Sequence, residues 1–429
     1  MKRLTALVLL LLLAGCSSLN LPWLPARTPT PGESQTPAVQ TAAPTQTPAA
    51  ATQQPTPAVL MLRLWLPPEF DPESGSPAGE LLRQRLAEFE TSRPNIRLDV
   101  RLKNLEGAGG MINSLTTTSA AAPLALPDLV LLPRPTLESA ILKGLAYPYD
   151  DFAGEVPAEW LNYAAELARF QDHLYGIPLA GDVLVLLYQT ELIAEPPINW
   201  ESTLQVQSPL LFPAAQEQAL FTLAQYQAAG GEIQDAGGRP LLELEPLTAV
   251  LGFYAQAHLG GQMPFWLTQY EDDAQVWQAY LENTSPLAVT WLSNHLKQPM
   301  DGVMPAPLPV SGEPFTLASG WLLALTSPDP ARQALAVELA AFLVEPDFAA
   351  AWSEAAGYLP VQEAAMNGWQ NPAMQAFASR MLESAHALPP SDVLNTLGPA
   401  LQNAAIQVLK EQIDSATAAA QAVDKLSSP

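Results

Sequence analysis

The chain has 429 residues, of which 19 are basic and 43 are acidic, so its formal net charge is −24 at pH 7. This acidic balance argues against nucleic acid and anionic lipid surfaces as partners, because it offers them no basic field. Cys16 is the only cysteine and the four histidines are scattered, which excludes an intramolecular disulfide and a cysteine metal cluster and gives no sign of a metal site or other cofactor.

The N-terminal residues have the pattern of a signal peptide. Lys2 and Arg3 precede an apolar run from Leu4 to Leu13, which is shorter than the roughly 20 residues that a membrane span needs. The run continues into Leu-Ala-Gly-Cys, with Cys16 last, and this ending resembles the lipobox of bacterial lipoproteins. The resemblance implies cleavage after residue 15, acylation of Cys16 and an extracytoplasmic protein anchored to a membrane through lipid. The alternative is a plain secreted protein.

A segment rich in Pro, Thr and Ala follows Cys16 and extends to residue 58. It has almost no apolar bulk, so it cannot bury enough surface to offset the entropy of ordering. Residues 16–58 are therefore predicted to be an acylated cysteine with an extended linker. Residues 59–429 remain for the folded part, which is long enough for two domains.

Strands and helices alternate from residue 59 onward, which predicts an α/β fold. Residues 96–102 alternate apolar and charged side chains, a pattern typical of a half-exposed strand, whereas residues 127–132 end in an apolar run typical of a buried strand. The predicted elements are a strand at 59–66, a helix at 78–91, a strand at 96–102, a helix at 111–121, a strand at 127–132 and a helix at 137–143.

Four motifs farther along the chain carry a family resemblance. In chain order, they are Tyr-Gly-Ile-Pro at 175–178 leading into an apolar strand, a glycine-bounded hairpin at 230–240, a second apolar strand at 315–327 and Gly-Tyr-Leu-Pro at 357–360. Their order and spacing resemble those of the extracellular solute-binding proteins of ABC importers, the maltose-binding-protein-like family 1. With the early strands, the resemblance covers nearly all of residues 59–429.

The resemblance implies a type II periplasmic-binding-protein fold, in which two lobes, each a mixed sheet flanked by helices, are joined by crossover segments. It implies an N-terminal lobe at 59–180 with 320–356 and a C-terminal lobe at 181–319 with 357–429. Ligands in open α/β sheets lie beyond the carboxyl ends of strands, and few crossing segments permit hinge closure. The hinge residues that it implies are Gly181, Tyr188 and Gly320.

The implied function is capture of a neutral solute, most simply a sugar or oligosaccharide, and its delivery to the permease subunits of an ABC transporter. The protein is expected to be a monomer and not an enzyme. A surface carbohydrate-active enzyme that uses two carboxylates is one alternative, because 43 acidic residues always offer a suitable pair. An adhesive or structural lipoprotein is the other.

Five residues are candidate ligand contacts, because sugar rings stack their C–H faces on aromatic side chains and their hydroxyls need fixed polar partners. Asp182 matches the position of a sugar-binding carboxylate in the family, and a carboxylate suits hydroxyl or cationic ligands. Its alternative role is a hydrogen bond to local hinge amides. For the aromatic candidates the alternative is core packing. The five candidates are Trp65, Asp182, Trp291, Trp321 and Tyr358.

Overall fold

The computed structural model describes residues 59–152, 154–155 and 159–427, with only the backbone at Ser427. The predicted signal peptide, Cys16 and the linker to residue 58 lie outside these ranges. Within them, no helix combines the length and the apolar character that crossing a membrane requires.

The first half of the folded part alternates strands and helices. In chain order, it contains β1 (Leu60–Leu66), α1 (Pro77–Ser92), β2 (Ile96–Leu102), α2 (Met111–Ala121), β3 (Leu129–Pro133), α3 (Arg134–Leu142), α4 (Asn162–Ala168), β4 (Arg169–Phe170), β5 (His173–Leu174) and β6 (Ile177–Gln189). The predicted strand at 96–102 and helix at 111–121 are confirmed with their bounds. Helix α3 begins three residues earlier than predicted, because Pro135 fits the first turn of a helix, where no backbone donor is needed.

The second half is mainly helical. It contains α5 (Trp200–Gln205), β7 (Leu210–Leu211), α6 (Leu220–Ala228), α7 (Leu244–Gly260), α8 (Asp273–Leu281), β8 (Leu287–Trp291), α9 (Leu292–Lys297), β9 (Val303–Ala306), β10 (Thr316–Leu325), α10 (Pro330–Leu343), α11 (Pro346–Ala356), α12 (Glu363–Asn367), α13 (Pro372–Glu383), β11 (Ala385–Ala387), α14 (Ser391–Leu409) and α15 (Ser415–Ser427). The predicted hairpin before α7 is confirmed by an antiparallel bridge between Gln234 and Pro240.

One long strand, β6, connects two regions of sheet. Its first part pairs antiparallel with β10, which also pairs antiparallel with β3. Strand β3 continues into the parallel strands β1 and β2. From Leu184 onward, β6 pairs instead with β8 and β9, and β7 lies beyond β8. The two crossover strands therefore lie side by side where the chain passes from one region to the other.

Two glycines meet at this passage. Gly181 of β6 is the register partner of Gly320 of β10. A Cβ at Gly181 would lie 2.0 Å from the hydroxyl oxygen of Tyr163, and a Cβ at Gly320 would lie 2.8 Å from the carbonyl oxygen of Ala180. Both positions therefore require glycine because of close packing.

The helices gather around the two sheet regions. Helix α11 packs on α1, and α12 packs on α11, where Trp369 donates a hydrogen bond of 3.0 Å to the Ser353 hydroxyl. Helices α14 and α15 pack on α7 instead. The predicted lobe boundary after residue 356 stays a prediction, and these contacts favour a later passage near β11, which pairs with the start of β10.

Substitution of Gly181 by alanine should destabilise the fold by about 1–3 kcal/mol, because the added methyl overlaps a tyrosine that cannot withdraw freely. Tyr163 is buried and donates a hydrogen bond of 3.0 Å to the carbonyl of Pro360. Urea unfolding measures the change. Gly252 in α7 is the control, since a Cβ there meets only one atom, at 4.0 Å, and Gly252→Ala should stabilise the helix by about 0.5–1 kcal/mol. Equal stability of Gly181→Ala and the unsubstituted protein would contradict this account of the crossover.

Candidate functional site

Side chains from several separate segments converge beside the crossover strands. The 3-10 turn Pro68–Phe70 follows the carboxyl end of β1, and α9 follows the carboxyl end of β8. The Gly357–Tyr358 turn ends α11. We call these side chains the interlobe cluster, and its members are Glu69, Phe70, Asp182, Lys297, Trp321 and Tyr358.

Phe70 is the centre of the aromatic part of the cluster. Its ring centroid lies 4.7 Å from that of Trp321 in an edge-to-face contact and 5.7 Å from that of Tyr358 in a stacked contact. A third ring, that of Trp352 in α11, stacks at 5.9 Å. Such aromatic pairs stabilise their arrangement beyond the apolar area that they bury. Trp321 remains partly exposed, whereas Phe70 and Tyr358 are buried.

Asp182 connects the crossover strand to α9. Its Oδ1 atom accepts hydrogen bonds from the backbone amides of Val183 at 2.9 Å and Ser293 at 3.0 Å. Ser293 lies in the first turn of α9, whose amides have no partner within the helix. Asp182 therefore caps a helix of the second sheet region from a strand that both regions share.

The ionisation of Asp182 is perturbed by its surroundings. Burial raises the pKa of the carboxyl to about 7, although hydrogen bonds from Ser293 and Val183 and the charge of Lys297 act in the lowering direction. A buried carboxylate is costly unless it is paired. The amide bonds and the nearby ammonium supply that pairing only in part.

Two other members of the cluster, Glu69 and Lys297, are also charged, and both are exposed residues. Burial raises the pKa of Glu69, whereas the charge of Lys297 lowers it. Burial likewise lowers the pKa of Lys297, whereas Asp182 and Glu69 raise it. Both side chains are therefore partly desolvated by the surrounding protein, although each residue is exposed.

A second aspartate, Asp273, also holds the N-terminal end of α9. Asp273, in the first turn of α8, accepts hydrogen bonds of 2.7 Å from the hydroxyl of Thr290 and from the side-chain amide of Asn294. Burial raises the pKa of Asp273 despite these bonds. Helix α9 is thus held by carboxylates from both β6 and α8, which positions Lys297 at its end.

The five predicted ligand contacts fall into two groups. Asp182, Trp321 and Tyr358 are brought together in the interlobe cluster. Trp291 is the N-cap residue of α9, directly before the helix that Asp182 caps, and it is partly exposed. Trp65 is only 4 % exposed within β1, and the ammonium of Lys103 lies 5.1 Å from its ring centroid. No described contact of Trp65 reaches the cluster, and its role as a ligand contact stays a prediction.

The predicted hinge residues are also separated. Gly181 and Gly320 are register partners at the passage between the sheet regions. Tyr188 is paired with Leu287 and Met304 inside the second region, seven residues farther along β6. Its position supports packing of that sheet, and its role as a hinge residue stays a prediction.

Sequence reasoning missed Glu69, Phe70 and Lys297. The first two directly follow Pro67-Pro68 at the end of β1, and the rule that ligands lie beyond the carboxyl ends of strands was a signal for them. Lys297 carried no comparable signal, because its place beside Tyr358 depends on how α9 packs.

The interlobe cluster lies apart from a prominent groove on the surface of the described residues. This groove of about 520 Å³ is lined by residues that include Trp160, Leu161, Val344, Pro346 and Gln362, and no member of the cluster lines it. Among the described residues that line the groove there are carboxylates but no cation. Its residues come from the segment before α4, the end of α10 and the starts of α11 and α12.

The fold matches that of two-lobed binding proteins of known structure. The sugar-binding protein MalE from Xanthomonas citri superposes with a TM-score of 0.70 at 19 % identity, covering 86 % of this chain and 97 % of that one. The cyclic alpha-maltosyl-1,6-maltose binding protein from Arthrobacter globiformis gives a TM-score of 0.70 at 14 % identity, covering 86 % and 98 %. A solute-binding protein from Thermotoga lettingae bound to alpha-D-tagatose gives 0.66 at 18 % identity, covering 85 % and 98 %.

These similarities define the class as the two-lobed α/β fold of solute-binding proteins, which confirms the predicted fold class. The chain belongs to the bacterial extracellular solute-binding protein family, whose model matches residues 84–376. The matched range includes both crossover strands, α9 and the Gly357–Tyr358 turn. The family assignment therefore covers most of the segments that build the interlobe cluster.

The raised pKa of Asp182 predicts a specific pH dependence of stability. The carboxyl has a pKa of about 7 in the folded protein and an ordinary value of 3.8, so the folded state binds the proton more tightly. Its stabilising contribution is complete below about pH 4 and is lost as the pH rises through about 7. Relative to Asp182→Asn, the unsubstituted protein should lose on the order of a few kcal/mol of unfolding free energy between pH 4 and pH 8.

Urea unfolding at several pH values measures this difference, and subtraction removes the contributions of all other carboxylates. Asp301 is exposed, so Asp301→Asn serves as the control and should follow the unsubstituted protein. A difference between the Asp182→Asn and unsubstituted proteins that is constant from pH 4 to pH 8 would rule out the perturbed ionisation.

Proposed function

We propose that the protein captures a neutral sugar or oligosaccharide at the interlobe cluster and delivers it to the permease of an ABC transporter. The observation that carries the proposal is the convergence of Asp182 with Trp321 and Tyr358 at the crossover of a solute-binding fold. Proteins of similar structure have been solved in complex with maltotetraose, maltotriose and mannotriose. These proteins are all distant in sequence, so the ligand class rests on the chemistry of the cluster as well.

The charges of the cluster favour a neutral ligand. Lys297 offsets part of the negative charge of Glu69 and Asp182, so no strong field of one sign remains to select an ion. The two backbone amides both donate to Oδ1 of Asp182, and Oδ2 has no backbone donor among the described residues, although the Ser293 side chain also lies close to the carboxyl. The Oδ2 atom is suited to accept a hydrogen bond from a ligand hydroxyl.

The aromatic rings supply the apolar contact that a sugar also needs. Trp321 is partly exposed beside Phe70, and Trp291 is partly exposed at the start of α9. A ring held between them would meet an aromatic surface from each sheet region. Binding across the two regions would favour their closure, because a ligand shifts the equilibrium toward the state that it contacts more completely.

We propose lobes that differ slightly from those expected from the family resemblance. The first lobe would include α11 and α12, since both belong to the group of helices around α1. The last passage to the second lobe would lie near β11, before α14. Gly181 and Gly320 would then act as hinge residues beside a third connecting segment.

We also propose that the protein binds its ligand without chemical change. Glu69 and Asp182 are both carboxyl groups at the cluster, but Asp182 is engaged by two backbone amides and Glu69 is influenced mainly by burial and Lys297. A carbohydrate-active enzyme and an adhesive or structural lipoprotein remain the competing functions.

Anchoring through Cys16 completes the proposal. Family membership supports an extracytoplasmic location, and the Leu-Ala-Gly-Cys sequence favours acylation of the cysteine at residue 16. Two or more acyl chains give stable membrane attachment, whereas one gives only marginal binding. The Pro/Thr/Ala-rich linker would let the binding lobes reach the permease from the anchor.

A saccharide panel tests the binding function. Maltose, maltotriose, maltotetraose, mannotriose and tagatose should be added separately while thermal unfolding is followed. At least one should raise the unfolding temperature, and the rise should grow with ligand concentration by mass action. Asp182→Ala should reduce the affinity at least about tenfold, because loss of a charged hydrogen-bond partner costs about 1.5–3 kcal/mol.

Asp301→Ala, at an exposed position outside the cluster, is the matched control and should bind like the unsubstituted protein. Chromatography of each sugar after incubation distinguishes binding from turnover. A new product would establish an enzyme, and absence of any stabilisation across the panel would count against sugar capture.

The anchor has its own test. When the gene is expressed in a bacterium fed an alkyne-labelled fatty acid, the protein should take up the label and remain with the membrane fraction. Cys16→Ser should abolish the label and release the protein, because the serine hydroxyl cannot form the thioether. Ser17→Ala is the control and should keep the label. If the Ser17→Ala protein sediments with membranes but carries no label, lipid anchoring is contradicted.

A further inference from the structure

The end of α9 makes a direct contact with the Gly357–Tyr358 turn. The ammonium nitrogen of Lys297 lies 3.7 Å from the centroid of the Tyr358 ring, a distance typical of a cation–π interaction. Helix α9 extends from β8, which pairs with the second part of β6. Tyr358 follows α11, which packs on α1. The contact therefore joins elements of the two lobes proposed above.

The backbone of the turn is adapted to this contact. Gly357 has a φ of +67°, and a Cβ there would lie 2.6 Å from Cγ of Lys297 and 3.0 Å from its backbone nitrogen. A side chain at residue 357 would thus be strained and would push α9 away. Glycine allows the turn to approach the helix end closely enough for the ammonium to reach the tyrosine ring.

The surrounding charges favour the ammonium at this position. Glu69 belongs to the 3-10 turn after β1, and Asp182 belongs to the crossover strand β6. The negative charge of each favours the protonated form of Lys297. Tyr358 itself is buried, and its ring stacks on that of Phe70 at a centroid distance of 5.7 Å. The cation is therefore held by an aromatic face and by two carboxyl groups from separate segments.

We propose that Lys297 is an interlobe latch, which holds α9 against the Gly357–Tyr358 turn and so restricts the separation of the two lobes in the protein without solute. This role rests on the proposed function, because it concerns the lobe motion of the same binding site. Lys297 thereby sets the distance between the lobes and the fraction of molecules in which the site is open. Such a contact adjusts the fraction of open protein before any solute is bound.

Pulsed electron spin resonance measures the separation directly and needs no ligand. Because Cys16 is the only cysteine, a Cys16→Ser chain accepts spin labels at two new cysteines without interference. Ala87 of α1 and Leu259 of α7 are exposed positions on the two lobes, so Ala87→Cys and Leu259→Cys supply the labels.

Lys297→Met keeps the length of the side chain but removes its charge, and it should lengthen and broaden the distance distribution. Lys297→Arg keeps the charge and should leave the distribution close to that of the parent. Tyr358→Leu removes the aromatic face and should produce the same change as Lys297→Met, and the double variant should add little to either.

A Lys297→Met distribution identical to the parent would overturn the latch, as would an equal change in Lys297→Arg. If Lys297→Met fails to fold, Tyr358→Leu decides the matter alone. Because no solute is present, a failed latch leaves the sugar proposal intact, and a failed saccharide panel leaves the latch result intact.

Discussion

The antiparallel pairing of β6 with β10 is the constraint on which the rest of the structure depends. Gly181 and Gly320 are opposite each other in this pair, and each lacks a Cβ where a neighbouring atom leaves no room for one. Because both strands cross between the sheet regions at the same point, their pairing constrains the relative motion of those regions. Hinge closure of two lobes requires that few chain segments connect them and that these segments are well packed where they cross.

Asp182 is placed next to this passage, and its position relates the fold to the candidate site. The residue after Gly181 caps α9, and α9 carries Trp291 at its start and Lys297 at its end. A substitution at Asp182 should therefore alter the positions of both the Trp291 ring and the Lys297 ammonium. Ionisation of Asp182 in the folded protein costs free energy, since burial raises its pKa to about 7. Functional sites commonly contain groups with perturbed pKa values.

The sequence predicted those parts of the fold that depend on neighbouring residues. Strand β2 and helix α2 have local periodicity, so their bounds were predictable, and the order of motifs around Gly181 and Gly320 indicated two crossovers. The register between the crossover strands was not predictable, because it includes an irregularity between Trp321 and Leu322 that local sequence does not mark. Tertiary packing decides such details.

The site was predictable to the extent that it lies on the crossovers. Asp182 was identifiable as a charge within an apolar strand, but its alternative role as a partner of local amides is also present, since both of its amide bonds are structural. A tryptophan near the end of a buried strand, such as Trp65, suits a ligand surface and a core equally; its 4 % exposure favours core packing, and its role as a ligand contact stays a prediction. Lys297 reaches Tyr358 only through packing of distant segments.

Crystals grown with the saccharide that stabilises the protein most strongly would test the central claim most directly. The account predicts a sugar ring against Trp321 or Trp291, with a hydroxyl within hydrogen-bonding distance of Oδ2 of Asp182. A sugar bound elsewhere, such as in the groove beside Trp160, with the interlobe cluster unchanged, would contradict it.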